Sequence, residues 1–193
     1  IRQQQHRSQG SRGPGYGSQT PGQSRDQYIY VYGDGNQLGD KGLVAVIEQL
    51  KALKTLKMSN NWRNLGNCAI SLSDEAVSLA RHPAITVLDL SGNSISDRGA
   101  ALISTALPSL TVLLLGTSLI DEGNNKVQEI GATSIAMGLS NLTELDISSN
   151  AIGDNGITRI AETLKNLRVL RAGKGGITKA TAGSRILEQL ILF

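Results

Sequence analysis

The chain has 193 residues, with 19 lysines and arginines against 16 aspartates and glutamates, and a formal net charge of +3. It is long enough to bury one core, and no apolar stretch is long enough to span a bilayer. The single cysteine, Cys68, excludes an internal disulfide, so we expect a reducing, intracellular compartment.

The first 27 residues are rich in Gly, Gln, Ser and Arg. They hold four arginines and one acid, Asp26, so the whole net charge of +3 lies here and residues 28–193 are neutral. Such a composition buries too little apolar surface to offset its ordering entropy, which predicts an extended tail. The tail is either a flexible linker or an anchor on a partner, and its composition overlaps with mitochondrial targeting sequences. The anchor candidates are Arg2, Arg7, Arg12, Tyr16 and Arg25.

Internal repeats dominate the chain from residue 28 onward. Residues 85–110 and 142–167 both read LxxLxLxxNxI, followed by a DxG step and a helical run that ends in Leu. Four looser copies complete a period that alternates between 25 and 32 residues. The extra residues of the two long copies are expected between strand and helix, at 63–73 and 121–129. The copies start at Tyr28, Leu53, Ile85, Leu110, Leu142 and Leu167.

Each copy predicts one strand, one turn and one helix. The alternating leucines indicate a short strand with one buried face. An asparagine then turns the chain and satisfies backbone groups inside the bend, and the apolar residue two positions on closes the core. The predicted turn residues are Asn36, Asn61, Asn93 and Asn150, with Ser118 in the slot of the fourth copy, and the closing residues are Ile95, Ile120 and Ile152.

Two further residue types recur at the predicted helix starts. A glycine stands at the tight turn of four copies, at positions 42, 99, 131 and 156. The aspartates Asp40, Asp97 and Asp154 occupy an equivalent turn, and this periodicity predicts helix caps rather than an acid/base pair.

The pattern resembles the ribonuclease-inhibitor-like subfamily of leucine-rich-repeat proteins over about residues 28–193. The resemblance implies an α/β solenoid of six to seven repeats, in which a parallel sheet lines the concave face and helices lie on the convex face. Residues 1–27 precede this domain as a low-complexity tail. The resemblance is nearly silent about function, because such proteins include inhibitors, innate sensors, GTPase regulators and assembly subunits.

The strand residues between the leucines are expected to line the concave face. An apolar centre with a charged rim suits a protein partner, although ordinary cross-strand pairs of solvated residues would look the same. The partner-binding candidates are Tyr30, Tyr32, Lys57, Val87, Asp89, Val112, Leu114, Glu144, Asp146 and Arg171.

The last seven residues, LEQLILF, predict a seventh strand at the edge of the sheet. A bare apolar edge would invite aggregation, so we expect a partner or further chain to cover it. The candidates for the edge strand are Leu187, Leu190, Leu192 and Phe193.

Trp62 either caps the core or anchors a partner, and we favour the core. A cluster of cationic residues near the C-terminus is interpreted as a solvated edge; it comprises Arg168, Arg171, Lys174, Lys179 and Arg185.

No catalytic or cofactor motif emerges. Cys68 has only His6 and His82 to join it, so we expect neither a zinc site nor a catalytic pair. The sequence therefore predicts a non-catalytic scaffold or assembly subunit that binds proteins. The alternatives are a ribonucleoprotein subunit, for instance of a mitochondrial ribosome, whose tail runs along RNA, and a regulator of GTPases. The absence of disulfide caps argues against a secreted receptor.

Overall fold

The chain forms a parallel sheet backed by helices. The computed structural model describes residues 27–30, 38–59, 69–74, 78–116, 125–173 and 191–192. Its seven strands follow chain order across one sheet: β1 (Gln27–Tyr30), β2 (Leu53–Lys57), β3 (Val87–Asp89), β4 (Val112–Leu114), β5 (Glu144–Asp146), β6 (Val169–Arg171) and β7 (Ile191–Leu192). The described helices are α1 (Gly39–Gln49), α2 (Asp97–Ala106), α3 (Glu129–Gly138) and α4 (Gly153–Thr163). The predicted fold class, a leucine-rich-repeat α/β solenoid, is confirmed.

One leucine in each central strand forms a fully buried row. In β3 to β6 the burial pattern is intermediate, buried, intermediate, so the flanking residues point to the opposite face. We call that opposite face, which points away from the helices, the concave face. The parallel register stacks the buried leucines directly on one another, namely Leu56, Leu88, Leu113, Leu145 and Leu170.

The helices close the other side of this core. In α2 the buried residues Ala100 and Ile103 lie three apart, and in α4 Ile157 and Ile160 do the same, which is the spacing of one helical face. Small residues let neighbouring helices approach: a Cβ added at Gly138 would lie 2.7 Å from the Cβ of Ser104. Small side chains at this contact therefore let α3 pack closely against α2.

Buried asparagines hold two of the described turns to the preceding repeat. The Asn93 amide donates to the carbonyls of Met58 (2.8 Å) and Leu90 (3.0 Å), and its Oδ1 accepts the Ile70 N–H at 3.3 Å. Asn150 repeats the pattern one step later, donating to Leu115 at 3.0 Å and Ile147 at 3.2 Å and accepting from Val127 at 3.0 Å. The predicted role of these two asparagines is confirmed.

The fourth copy uses a different residue than the sequence predicted. Asn125, not Ser118, donates to the carbonyls of Leu90 (3.1 Å) and Leu115 (2.7 Å) and accepts the Ile95 N–H at 2.7 Å. Val127, two positions on, closes the core in place of Ile120. A serine hydroxyl carries one donor hydrogen and could not replace both N–H groups and the carbonyl of an amide.

The insertion of this copy therefore lies between the strand and the asparagine. Residues 117–124 are outside the described part, and α3 begins four residues after Asn125, as α2 begins four residues after Asn93. The turn residue predicted for the second copy, Asn61, lies outside the described residues.

The aspartates at the helix starts cap the next repeat rather than their own helix. The Asp97 Oδ1 accepts the backbone N–H groups of Gln128 (2.6 Å) and Gly131 (2.9 Å), at the start of α3. The Asp40 Oδ1 likewise accepts from Ser71 (2.7 Å) and Leu72 (3.0 Å). These carboxylates are structural, as predicted, but they join adjacent repeats.

Both terminal strands are shifted by two residues from the register that the repeat alignment predicts. That alignment pairs Tyr30 with Thr55 and Leu190 with Leu170. Tyr28, not Tyr30, pairs with Thr55, and Tyr30 pairs with Lys57 after an irregularity between Gln27 and Tyr28. At the other end Leu192, not Leu190, pairs with Leu170. A shift of two residues leaves every side chain on the same face, so hydrophobic alternation cannot distinguish the two registers.

The second copy also departs from the expected helix. Its described residues between β2 and β3, 69–74 and 78–86, contain no helix. His82 ties this segment down: its backbone N–H donates to the Ala106 carbonyl at 2.8 Å, and its buried Nε2 lies 2.9 Å from the Leu50 carbonyl. These bonds hold the segment against the ends of α1 and α2.

Replacing Asn125 by alanine should destabilise the fold strongly. The change leaves the buried Ile95 N–H without its acceptor, which costs about 1–3 kcal/mol. It also removes one of the two amide donors from each of the Leu90 and Leu115 carbonyls, which keep Asn93 and Asn150, and each lost bond costs about 0.5–1.5 kcal/mol. We expect a loss of about 3 kcal/mol or more in the free energy of unfolding, measured by urea denaturation. Asn141→Ala is the matched control, because Asn141 is exposed and makes one 3.3 Å bond to Pro108, and its cost should stay below about 1 kcal/mol. Equal losses for the two variants would contradict the role of Asn125.

Candidate functional site

The strand register aligns two rows of side chains on the concave face. Strands β2 to β6 carry the first row, Thr55, Val87, Val112, Glu144 and Val169, and the second row, Lys57, Asp89, Leu114, Asp146 and Arg171. The structure thus brings together eight of the ten partner-binding candidates. Of the other two, the Tyr30 backbone extends the second row through its pairing with Lys57, and Tyr32 lies outside the described residues.

The centre of this face is apolar. Val87 and Val112 pair directly on adjacent strands, and Leu114 follows Val112 in the second row. All three side chains are partly exposed, whereas the leucines between them are fully buried. Because adjacent strands lie about 4.8 Å apart, the three form one continuous patch.

The carboxylates around the patch are held in place by local bonds. The Asp89 Oδ1 accepts the Ser91 N–H at 3.0 Å, and the Asp146 Oδ1 accepts the Ser148 N–H at 3.0 Å and the Ser148 hydroxyl. Each aspartate therefore turns back over the end of its own strand. A partner would meet these groups already oriented, with little side-chain entropy left to lose.

An ion pair borders the patch on the β6 side. The Arg171 guanidinium bonds the Glu144 carboxylate, and the two side chains are 36% and 32% exposed. At that exposure a pair contributes little to stability. Arg171, which sequence reasoning also assigned to a cationic cluster, thus belongs to the concave face. Arg168 is exposed, and the other members of that cluster lie outside the described residues.

Gly116 gives the Asp146 side chain its place. A Cβ at position 116 would lie 2.6 Å from the Asp146 Cγ and 2.6 Å from the Ser148 Oγ. The absence of a side chain on β4 therefore lets the acid of β5 lean over its neighbour. This role of Gly116 could not be predicted from the sequence, because it depends on the neighbouring strand.

Several sequence-predicted residues lie outside the described part of the chain. They are the tail residues Arg2, Arg7, Arg12, Tyr16 and Arg25, the edge residues Leu187, Leu190 and Phe193, and Trp62 and Cys68. Leu192 is described as part of β7. Their predicted roles in binding remain predictions.

The described residues give no sign of a metal or membrane-spanning site. Within them, no three His, Cys, Asp or Glu side chains converge in a way that could hold a metal ion. None of the described helices is long and apolar enough to cross a membrane. His82 is buried, and its Nε2 lies 2.9 Å from the Leu50 carbonyl.

Comparison with known families agrees with the fold. A family model described as a leucine-rich repeat matches residues 82–104 and 138–161. These segments contain β3 with most of α2, and β5 with most of α4, the two strictest copies in the sequence. The ribonuclease-inhibitor-like subfamily is not distinguished by this match. No curated protein matches the sequence.

Gly116→Ala should displace the Asp146 carboxylate. The new Cβ would collide with the Asp146 carboxylate, which lies at the end of a flexible side chain and can rotate away. The cost should be about 1 kcal/mol, mainly from the lost bonds to Ser148. In an Asp146→Ala background the same glycine change should cost less, giving a coupling energy of about 0.5–1 kcal/mol in a double-mutant cycle. Additive effects in denaturant unfolding would show that the acid does not depend on the glycine.

Proposed function

We propose that this chain is a non-catalytic interaction scaffold that binds a protein partner across the concave face. The observation that carries the proposal is the partly exposed patch of Val87, Val112 and Leu114 in the middle of the sheet. Apolar residues concentrated at the centre of a face, with polar residues at its rim, are typical of protein-binding surfaces. Leucine-rich repeats generally serve protein–protein interaction, which supports the same function.

The charges on this face suggest how a partner would be oriented. Asp89 stands on one side of Leu114 in the second row, and Asp146 stands on the other. A partner with an apolar anchor over Leu114 and basic side chains beside it would complement both acids. Charges at a rim mainly set register and association rate, whereas the buried anchor supplies affinity.

Membership of a larger assembly is the finer form of this proposal. Its support is a binding face that spans five central strands, wide enough for an extended partner segment, on a chain whose repeats carry no catalytic motif. The two sequence-level alternatives have less support. The RNA-contacting tail relies on four arginines outside the described residues, and no described residue favours a GTPase regulator.

Substituting Leu114 by aspartate should weaken partner binding without unfolding the chain, because the side chain is partly exposed. A photo-crosslinking amino acid at position 114 of the full chain, expressed in its own cells, would first identify the partner. With that partner purified, Leu114→Asp should weaken binding at least tenfold, as expected for a central anchor.

Lys165→Asp is the matched control, because Lys165 is exposed in the turn after α4, away from the sheet. Binding of the identified partner should stay within about twofold of the unmodified chain, since isolated surface charges contribute little. Unchanged affinity of the Leu114→Asp protein, with a circular dichroism spectrum showing that it is folded, would refute binding at the concave face.

A further inference from the structure

One described helix carries apolar residues where its counterparts carry polar ones. The glycine near each helix start aligns the four helices, so the positions one before it and six after it can be compared. These positions hold Lys41 and Glu48 in α1, Arg98 and Thr105 in α2, Ile130 and Met137 in α3, and Asn155 and Glu162 in α4. The repeat therefore accepts polar residues at both positions, and α3 alone departs from the rule.

The two apolar side chains of α3 are strongly exposed. Ile130 is 72% exposed and Met137 is 75% exposed. They lie seven residues apart, which is two helical turns or about 10.5 Å, on the same side of the helix. We call this pair the α3 stripe.

The core does not need the α3 stripe. The inward face of α3 is already filled by Ala132, Ile135 and Ala136, which are almost completely buried. Exposed isoleucine and methionine add no packing there and leave apolar surface in water. A contact with another molecule would explain why apolar side chains stand at these two exposed positions.

An acidic groove runs beside the stripe, between α3 and α4. Its volume is about 260 Å³, and it is lined by Glu129, Thr133, Asn155, Thr158, Arg159 and Glu162. The Asn155 amide donates to Glu129 at 3.3 Å, and Arg159 lies 4.0 Å from Glu162. With two carboxylates and one guanidinium, the groove carries one net negative charge.

We propose that α3 docks an amphipathic helix of another protein. Two apolar side chains of that helix, two turns apart, would pack on Ile130 and Met137, and a lysine or arginine on its flank would enter the groove beside Glu129 and Glu162. This is the geometry by which one helix recognises another through positions spaced three, four and seven residues apart. The surface lies on the convex side, so it is independent of binding at the concave face.

The charge of the groove distinguishes this partner from two others. A second copy of the chain would bring its own net negative groove, so two like-charged grooves would have to share one interface. An anionic membrane surface would meet the same carboxylates, and two apolar side chains give it little to bury. A cationic helix is the occupant that relieves the excess charge.

The test selects helical peptides on the full chain. A displayed library with a fixed helical scaffold and one randomised face would be enriched on the immobilised protein, and the enriched peptides would be synthesised. We expect apolar residues at positions seven apart with a lysine or arginine on one flank. Binding to Ile130→Asn/Met137→Glu, which installs the α4 residues at these positions, should be at least tenfold weaker.

Two further variants sharpen the result. Lys41→Ala/Glu48→Ala changes the same repeat positions in α1 and should leave peptide binding within threefold. Glu129→Gln/Glu162→Gln should reduce the preference for the basic peptide over its glutamine counterpart. The proposal is overturned by enrichment that does not depend on Ile130 and Met137, or by equal binding of basic and neutral peptides. It is also overturned if the stripe drives self-association in light scattering, or binding to phosphatidylcholine–phosphatidylserine vesicles, in place of peptide binding.

Discussion

The buried asparagine at the turns after β3, β4 and β5 is the constraint on which the rest of the described structure depends. At the ends of β3, β4 and β5 the backbone turns inside the core, where no water can satisfy its N–H and C=O groups. An asparagine amide offers two donors and an acceptor in one small side chain, so Asn125 can join the carbonyls of two repeats and the N–H of a third segment. Because each asparagine bonds the preceding repeat, it fixes the spacing of the strands, the start of the helix and the faces of both.

The sequence predicted the central repeats well because several signals agree there. In the copies around Asn93 and Asn150, leucine alternation, the asparagine and the glycine at the helix start all give the same register. In the fourth copy the signals conflict, since Ser118 lies at the usual distance from the strand and Asn125 lies seven residues later. The buried hydrogen bonds select Asn125, because leaving buried backbone groups unsatisfied costs more than adding seven residues between the strand and the turn.

The predictions for the register of the terminal strands and for the helix of the second copy differ from the structure for other reasons. The stretches around Tyr30 (YIYVY) and Leu192 (LILF) are apolar at every position, so the sequence pattern does not fix a register. Only pairing with the neighbouring strand selects one. In the second copy the described residues 69–74 and 78–86 contain no helix, and His82 there bonds residues of two other repeats. Such long-range bonds leave no local pattern to detect. The residues of the concave face were predictable, whereas the Asp146 conformation depends on the empty space above Gly116.

The two proposed surfaces meet in one repeat. Strand β4 provides Val112 and Leu114 on the concave face, and α3, which follows it, provides Ile130 and Met137 on the convex face. Asn125 lies between them in the chain and bonds the Leu115 carbonyl at the end of β4, so the strand and the helix are held as one unit. The layer between the two surfaces is about 10 Å thick, the distance of a helix packed on a sheet. A chain that binds one partner on each side would therefore hold the two partners a fixed, short distance apart. Geometry of this kind suits a scaffold, because a rigid spacer raises the effective concentration of one partner near the other without any chemistry of its own.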